Sequence, residues 1–322
     1  MIYPWHQSAW QQLSTCGDRL PNAWLLYGQR DIGKLAFARE LARVLLCEQP
    51  PHAFAACGEC ASCHLSAQGT HPDCYELTPL IEDEDNAKKL LHIKIEAVRE
   101  VIDNIHLTPL RAPRRVVLIH PAESMNVQAA NALLKVLEEP SPSVIFLLVT
   151  HNRDRLLPTI KSRCRQFLLP TPTHGEALAY LHAQKIPNAE AMLAFHGGSP
   201  LFSVDEKNQH LRHELMPVLV VPKLLAILDY AALFDKEKQP LAVFLDWFDK
   251  WLIDIIATAQ GGTPVFYPDH ADDLTELADK LPLLPLIALR DRVTELVPFG
   301  QHTLNVKLAL ESLLIDYLKL TL

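Results

Sequence analysis

Gly28-Gln-Arg-Asp-Ile-Gly33-Lys34 has the spacing of a loop that cradles phosphate. Two glycines let backbone N–H groups curl around phosphate oxygens at a helix N-terminus, and the lysine reaches the terminal phosphates. The next side chain should carry a hydroxyl for Mg²⁺, yet it is Leu35, which has no oxygen to offer a metal. The strand Val116-Val-Leu-Ile119 should end in carboxylates that hold Mg²⁺ and polarise water. It continues instead into His120-Pro121-Ala122-Glu123, with Glu123 beyond the expected place. Gly198-Ser199, after which a phosphate-reading arginine would stand, is followed by Pro200-Leu201. Three separate losses predict a chain that turns over no ATP, because phosphoryl transfer needs all of these parts. The cradle of Gly28, Gly33 and Lys34 could still hold phosphate weakly.

Seven cysteines occur, four of them as Cys47-x9-Cys57-x2-Cys60-x2-Cys63. Short C-x-x-C steps bring thiolates together, and four of them close a tetrahedral Zn²⁺ site with no open position. A redox pair lacks the flanking strand–helix pattern, whereas an iron–sulfur cluster accepts the same ligands. His52 and His64 stand near enough to substitute, but four sulfurs suffice. Cys16, Cys74 and Cys164 read as isolated thiols.

Basic side chains gather at Arg111, Arg114 and Arg115, and again at Arg153, Arg155, Lys161, Arg163 and Arg165. Facing one way, either group would suit a phosphate-bearing partner; singly, each is a solvated charge.

The elements that must position these groups alternate along the first half. Ala23-Trp-Leu-Leu-Tyr27, Arg115-Val-Val-Leu-Ile119 and Ser143-Val-Ile-Phe-Leu-Leu-Val149 are continuous apolar strands. Helical spacing covers Lys34 to Leu46, Val98 to Ile105 and Asn126 to Glu139, the last with Ala130, Leu133, Leu134 and Leu137 on one face before Pro140. Buried strands separated by helices predict a parallel sheet covered on both faces. Leu168-Leu-Pro-Thr-Pro-Thr173 reads as a linker, and the Gly197-Gly198-Ser-Pro200 break precedes purely helical sequence. The predicted organisation is an α/β domain over 1–168 with a metal-binding insertion at 47–63, a small helical domain over 169–208 and an all-α domain over 209–322. In the last, Leu224, Leu225 and Leu228, and then Phe244, Trp247, Phe248, Trp251, Leu252 and Ile255, form apolar faces.

The 322 residues are 49% apolar and 21% charged, ordinary for a globular protein. No apolar run spans a membrane, and Met1-Ile-Tyr-Pro-Trp-His6 lacks a secretory pattern, so the expected location is cytoplasmic. Net charge is −8, which argues against a general DNA-coating surface. Residues 209–322 hold 10 Lys/Arg against 16 Asp/Glu, so most of the negative charge lies there.

Taken in order, the phosphate loop, the Cys47–Cys63 cluster, Gly69-Thr-His-Pro-Asp73, Asn131-Ala-Leu-Leu-Lys-Val-Leu-Glu-Glu-Pro140 and Ser162-Arg163-Cys164 resemble the clamp-loader branch of the AAA+ proteins. The resemblance covers Trp24 to Cys164, about half the chain. It implies an AAA+ P-loop domain, a helical lid and a C-terminal collar that joins subunits. It implies that Arg163 acts in trans as an arginine finger on a neighbour's ATP, a task suited to a planar, permanently charged fork. Loss of the chain's own Mg²⁺ ligands with the finger retained matches a non-hydrolysing, stator-like member rather than the ATP-hydrolysing gamma/tau type. The implied partners are gamma/tau and delta subunits of the DNA polymerase III clamp loader, with the sliding clamp and primer–template DNA reached through the complex. A stand-alone ATPase or nucleotide-dependent DNA-repair factor is the rival reading, opposed by Leu35 and His120-Pro121. An independent zinc-dependent DNA-binding module conflicts with the negative charge and the closed sulfur site.

Overall fold

A computed structural model describes residues 2–15, 20–49, 54–79, 92–105, 108–297, 300 and 305–321. The chain divides into two compact units, the first reaching Ala177 and the second running from Leu178.

The first unit contains α1 (Gln7–Ser14), β1 (Ala23–Tyr27), α2 (Lys34–Leu46), α3 (Ala61–Ala67), β2 (Cys74–Leu77), α4 (Ile95–Ile105), β3 (Arg115–Ile119), α5 (Val127–Glu138), β4 (Val144–Thr150), α6 (Pro158–Arg163) and β5 (Arg165–Leu168). All five strands are parallel, in the order β2-β3-β4-β1-β5. Strand side chains alternate between faces, which divides the core in two. Trp24, Leu26, Val116, Leu118, Ile145, Leu147 and Val149 join Phe37, Ala38 and Leu41 of α2 on one face. Leu25, Val117, Ile119, Phe146 and Leu148 join Val98 of α4 and Ala130, Leu133 and Leu137 of α5 on the other. With both faces covered, the central strands β1, β3 and β4 are buried almost throughout, which is why they read as continuous apolar runs. The side chain of Asn126 caps α5 by accepting the Ala129 N–H at 2.8 Å. Pro158 opens α6, where its missing N–H costs nothing.

The second unit is helical throughout its described residues. The boundary falls within α7 (His174–Ala183), followed by α8 (Ala189–Phe195), α9 (Glu206–Val220), α10 (Leu224–Lys236), α11 (Leu241–Ala259), α12 (Ala271–Lys280), α13 (Leu283–Leu296) and α14 (Val306–Leu320). Helix α11 buries Phe244, Trp247, Phe248, Trp251, Leu252 and Ile255, the face its spacing predicts. Helix α10 differs from expectation. Ile227, Tyr230, Ala231 and Phe234 enter the core, while Leu224 and Leu225 are 53% and 71% exposed and Leu228 is also open. Two apolar stripes compete on this helix, and the one carrying the aromatic rings turns inward, where larger side chains remove more apolar area from water. The first unit carries the parallel α/β sheet, and the second is the helical part, of the fold class that the sequence predicts. No helix among the described residues is long and apolar enough to cross a membrane.

Candidate functional site

The phosphate loop joins the end of β1 to the start of α2. Gly28 (φ +156°) lies so close to β5 that an added Cβ would meet the Leu169 carbonyl oxygen at 2.8 Å. Gly33 (φ +94°) turns the chain into α2 in the left-handed region. The indole N–H of Trp5 donates to the Ile32 carbonyl at 2.9 Å, fixing the loop from outside. Lys34 is 2% exposed, and its ammonium donates to the carbonyl of Gln29 in the same loop. Burial pulls its pKa from 10.5 to about 8, against the pull of Glu123 and Asp31. Leu35 packs against the apolar core beside α2.

His120, at the end of β3, meets His151 edge-on with ring centroids 5.2 Å apart. Burial lowers both imidazoles, His151 to about 4, with Lys34 adding to its shift. Glu123 accepts the N–H groups of His151 at 2.9 Å and Asn152 at 3.3 Å, so it anchors the backbone that leaves β4. In the second unit, Ser199 is buried and followed by Pro200, with no arginine there.

The four cysteines converge. Cys47 caps α2, Cys60 caps α3 and accepts the Cys63 N–H at 3.4 Å, and Cys57 lies on the turn between them. All four Sγ atoms lie within 4.8 Å of one another, with Cys47–Cys60 at 4.0 Å and Cys57–Cys63 at 3.7 Å. A tetrahedral metal with bonds of about 2.3 Å places its sulfurs about 3.8 Å apart, so the set fits Zn²⁺. Backbone N–H groups also point at sulfur, Cys60 to Cys57 at 3.3 Å and Cys57 to Cys47 at 3.4 Å. The amides of Cys60 and Glu59 draw the Cys57 thiol down to about 6, whereas burial pushes Cys63 up to about 12. Four sulfurs this close ionise together only around a cation, which favours a divalent metal. His64 is exposed and outside the convergent set, and His52 and Cys16 lie outside the described residues. Cys74 and Cys164 stand apart, and burial raises their thiols to about 11 and about 12.

The first basic group is not one surface. Arg115 is 2% exposed and paired with Asp73, whose carboxylate also accepts the N–H groups of Leu110, Arg111 and Ala112 at 2.7–3.0 Å. Burial alone would raise this carboxyl, but these amides and Arg115 hold it below the usual range. Arg111 turns to Glu48, whose carboxylate also accepts the backbone N–H and hydroxyl of Ser62 beside the thiols. The sequence marked Asp73 only as the end of the Gly69–Asp73 motif, with no role, and did not mark Glu48; the one available sign of the pairing was Arg115, a charge at the first position of an apolar strand.

Arg163 ends α6. Its Nη1 donates to the Thr159 carbonyl at 2.9 Å, and its Nη2 pairs with Glu138 at the end of α5. The side chain remains 31% exposed. Arg153 lies over the Tyr27 ring with its guanidinium 5.2 Å from the centroid, and Arg165 is exposed on β5.

Two family models match the chain: DNA polymerase III, delta subunit, over residues 5–173, and DNA polymerase III, delta subunit, C terminal, over residues 206–319. DNA polymerase III subunit delta' of Pseudomonas aeruginosa is 38% identical over 331 residues, covering 99% of this chain and 98% of that protein. The subunit delta' of Escherichia coli is 33% identical over 296 residues, covering 87% and 83%. DNA polymerase III subunit tau of Salmonella typhimurium is 38% identical over 151 residues, covering 47% of this chain and 22% of tau. With full-length relatives and matched segments in both units, the chain belongs to the family of DNA polymerase III delta' subunits.

Proposed function

We propose that this chain is a ring member of the DNA polymerase III clamp loader that turns over no ATP itself and lends Arg163 to the nucleotide of a neighbouring subunit. The observation that carries this reading is a contrast of two cations. Lys34 is enclosed and bound to its own loop, whereas Arg163 stands at the tip of a helix with part of its fork open to a partner. Leu35 and His120-Pro121 provide neither a Mg²⁺ ligand nor a carboxylate for water, so nucleotide binds weakly or not at all.

In this reading the sheet domain over 1–168 presents the finger, the helices over 169–208 form a lid, and those over 209–322 form the collar. The exposed Leu224, Leu225 and Leu228 suit burial against another subunit. The partners are gamma/tau and delta subunits, and through them the sliding clamp and primer–template DNA in the cytoplasm. The chain thus serves a nucleotidyltransferase holoenzyme without catalysing nucleotidyl transfer. Cys47, Cys57, Cys60 and Cys63 would hold a structural Zn²⁺ that ties down the insertion.

The test is ATP turnover and clamp loading by reconstituted loaders. Arg163→Ala should assemble and lose up to ~10³–10⁵ in rate at the site it faces, with a smaller drop in the total. Arg163→Lys should not rescue, because an ammonium cannot reproduce the fork. Arg165→Ala should behave as wild type. Wild-type turnover and loading by the Arg163→Ala loader would leave the chain as a structural ring member only.

A further inference from the structure

We infer that Glu138 is a positioning residue for Arg163, aiming the guanidinium that the proposed function assigns to a neighbour's phosphates; the inference rests on that reading. Glu138 is the last residue of α5, where unpaired carbonyls make the helix end negative and a carboxylate is electrostatically misplaced. Arg163 is the last residue of α6, which packs against α5. Their ion pair therefore joins two helix ends and settles an acid that would otherwise be disfavoured there.

The own-chain contacts define how the fork is held. Nη2 donates to Glu138 Oε1, and Nη1 donates to the Thr159 carbonyl at 2.9 Å. Nε is buried with no hydrogen-bond partner, so it takes no part in outside recognition. Ser162 Oγ, at 3.5 Å from Nη1, is the loosest contact. Each terminal nitrogen carries two hydrogens. Beyond its firm own-chain contacts, the fork thus keeps one hydrogen on Nη2 and a weakly held one on Nη1. Two adjacent N–H groups are what bidentate recognition of phosphate requires. Because Glu138 and Thr159 fix the plane in advance, the side chain loses less rotamer freedom when it meets the phosphate. Arg165 supplies the contrast: among the described residues its side chain has no ion pair or hydrogen bond.

The experiment is a double-mutant cycle in the assembled loader, with kcat and KM for ATP read at the faced site while the other sites are silenced. Glu138→Ala should lower kcat by about 10- to 100-fold with KM little changed, as misplacement of a transition-state group does. Glu138→Gln, which keeps an acceptor oxygen, should recover part of the loss. In an Arg163→Ala background, Glu138→Ala should add nothing. If Arg163→Ala is impaired and Glu138→Ala is normal, or if the two losses multiply, Glu138 does not act through Arg163 and the inference fails while the finger stands. A fully active Arg163→Ala loader removes the finger and this inference with it. Assembly and zinc content, measured on every variant, keep a folding defect from passing as a loss of aim.

Discussion

The two ends of helix α2 have separate fates. At its N-terminus the chain keeps the shape of a phosphate loop and lacks the ligands: Gly28 and Gly33 bend it, but Leu35 joins the core and Lys34 turns back to Gln29. At its C-terminus Cys47 begins a complete donor set with all four sulfurs within 4.8 Å. Shape without donors offers Mg²⁺ no side-chain ligand; donors with the right separations fit a metal. The difference shows that a backbone motif and its chemistry are separable, since side chains supply the metal ligands and the backbone only the cradle.

The comparison breaks most sharply at the cysteine end. Cys60→Ser, or a strong chelator, should take the metal from about one zinc per chain to almost none. Amide protection over α3 should fall by about 100-fold or more, while β4 keeps its own. Elemental analysis and hydrogen exchange read both. Iron with visible absorbance would overturn the zinc assignment, and loss of protection in β4 would show that the metal holds the whole sheet domain.

A moderate effect is expected at Lys34. Its folded pKa of about 8 lies below the unfolded 10.5, so between those pH values the unfolded chain binds more protons and stability rises with pH. Denaturation of wild type and Lys34→Met from pH 7 to 10.5 should show wild type gaining on the variant by up to about 3 kcal/mol. Taking the difference cancels the raised Cys74 and Cys164 thiols, which titrate in both proteins. A difference that stays flat would mean the ammonium is well solvated and the loop open.

The smallest expected change is none. Leu35→Thr restores the hydroxyl that the loop lacks, but His120-Pro121 still offers no carboxylate. Steady-state ATP hydrolysis by the isolated variant should stay at the blank. Turnover of about 1 s⁻¹ would show that a single ligand had been the whole obstacle.

Much of the sheet was legible because its centre is apolar on both faces. β1, α2 and β3 span the residues that the runs of Leu, Val and Ala mark. The edge strands β2 and β5 were not, because Cys74-Tyr-Glu-Leu77 and Arg165-Gln-Phe-Leu168 carry charges and cover few residues; pairing defines them. The convergence of the cysteines was readable from their short spacing. Arg115 was read as surface charge because its partner Asp73 is 42 positions away. The pairing of Arg163 with Glu138, 25 positions apart on two helices, left no local sign. On α10, periodicity showed two apolar stripes but could not rank them, since ranking depends on which neighbours are there to cover each.

Gly28 also bears on how such chains are recognised. Its hydrogen side chain makes room for the Leu169 carbonyl, a requirement imposed by the crossing of β5 and independent of any phosphate. Any side chain there would push two backbones apart at the sheet edge. The residue that most suggests a nucleotide pocket is therefore one this fold would demand whether or not nucleotide ever binds. Scored as a signature of ATP binding, it counts a steric necessity as a function.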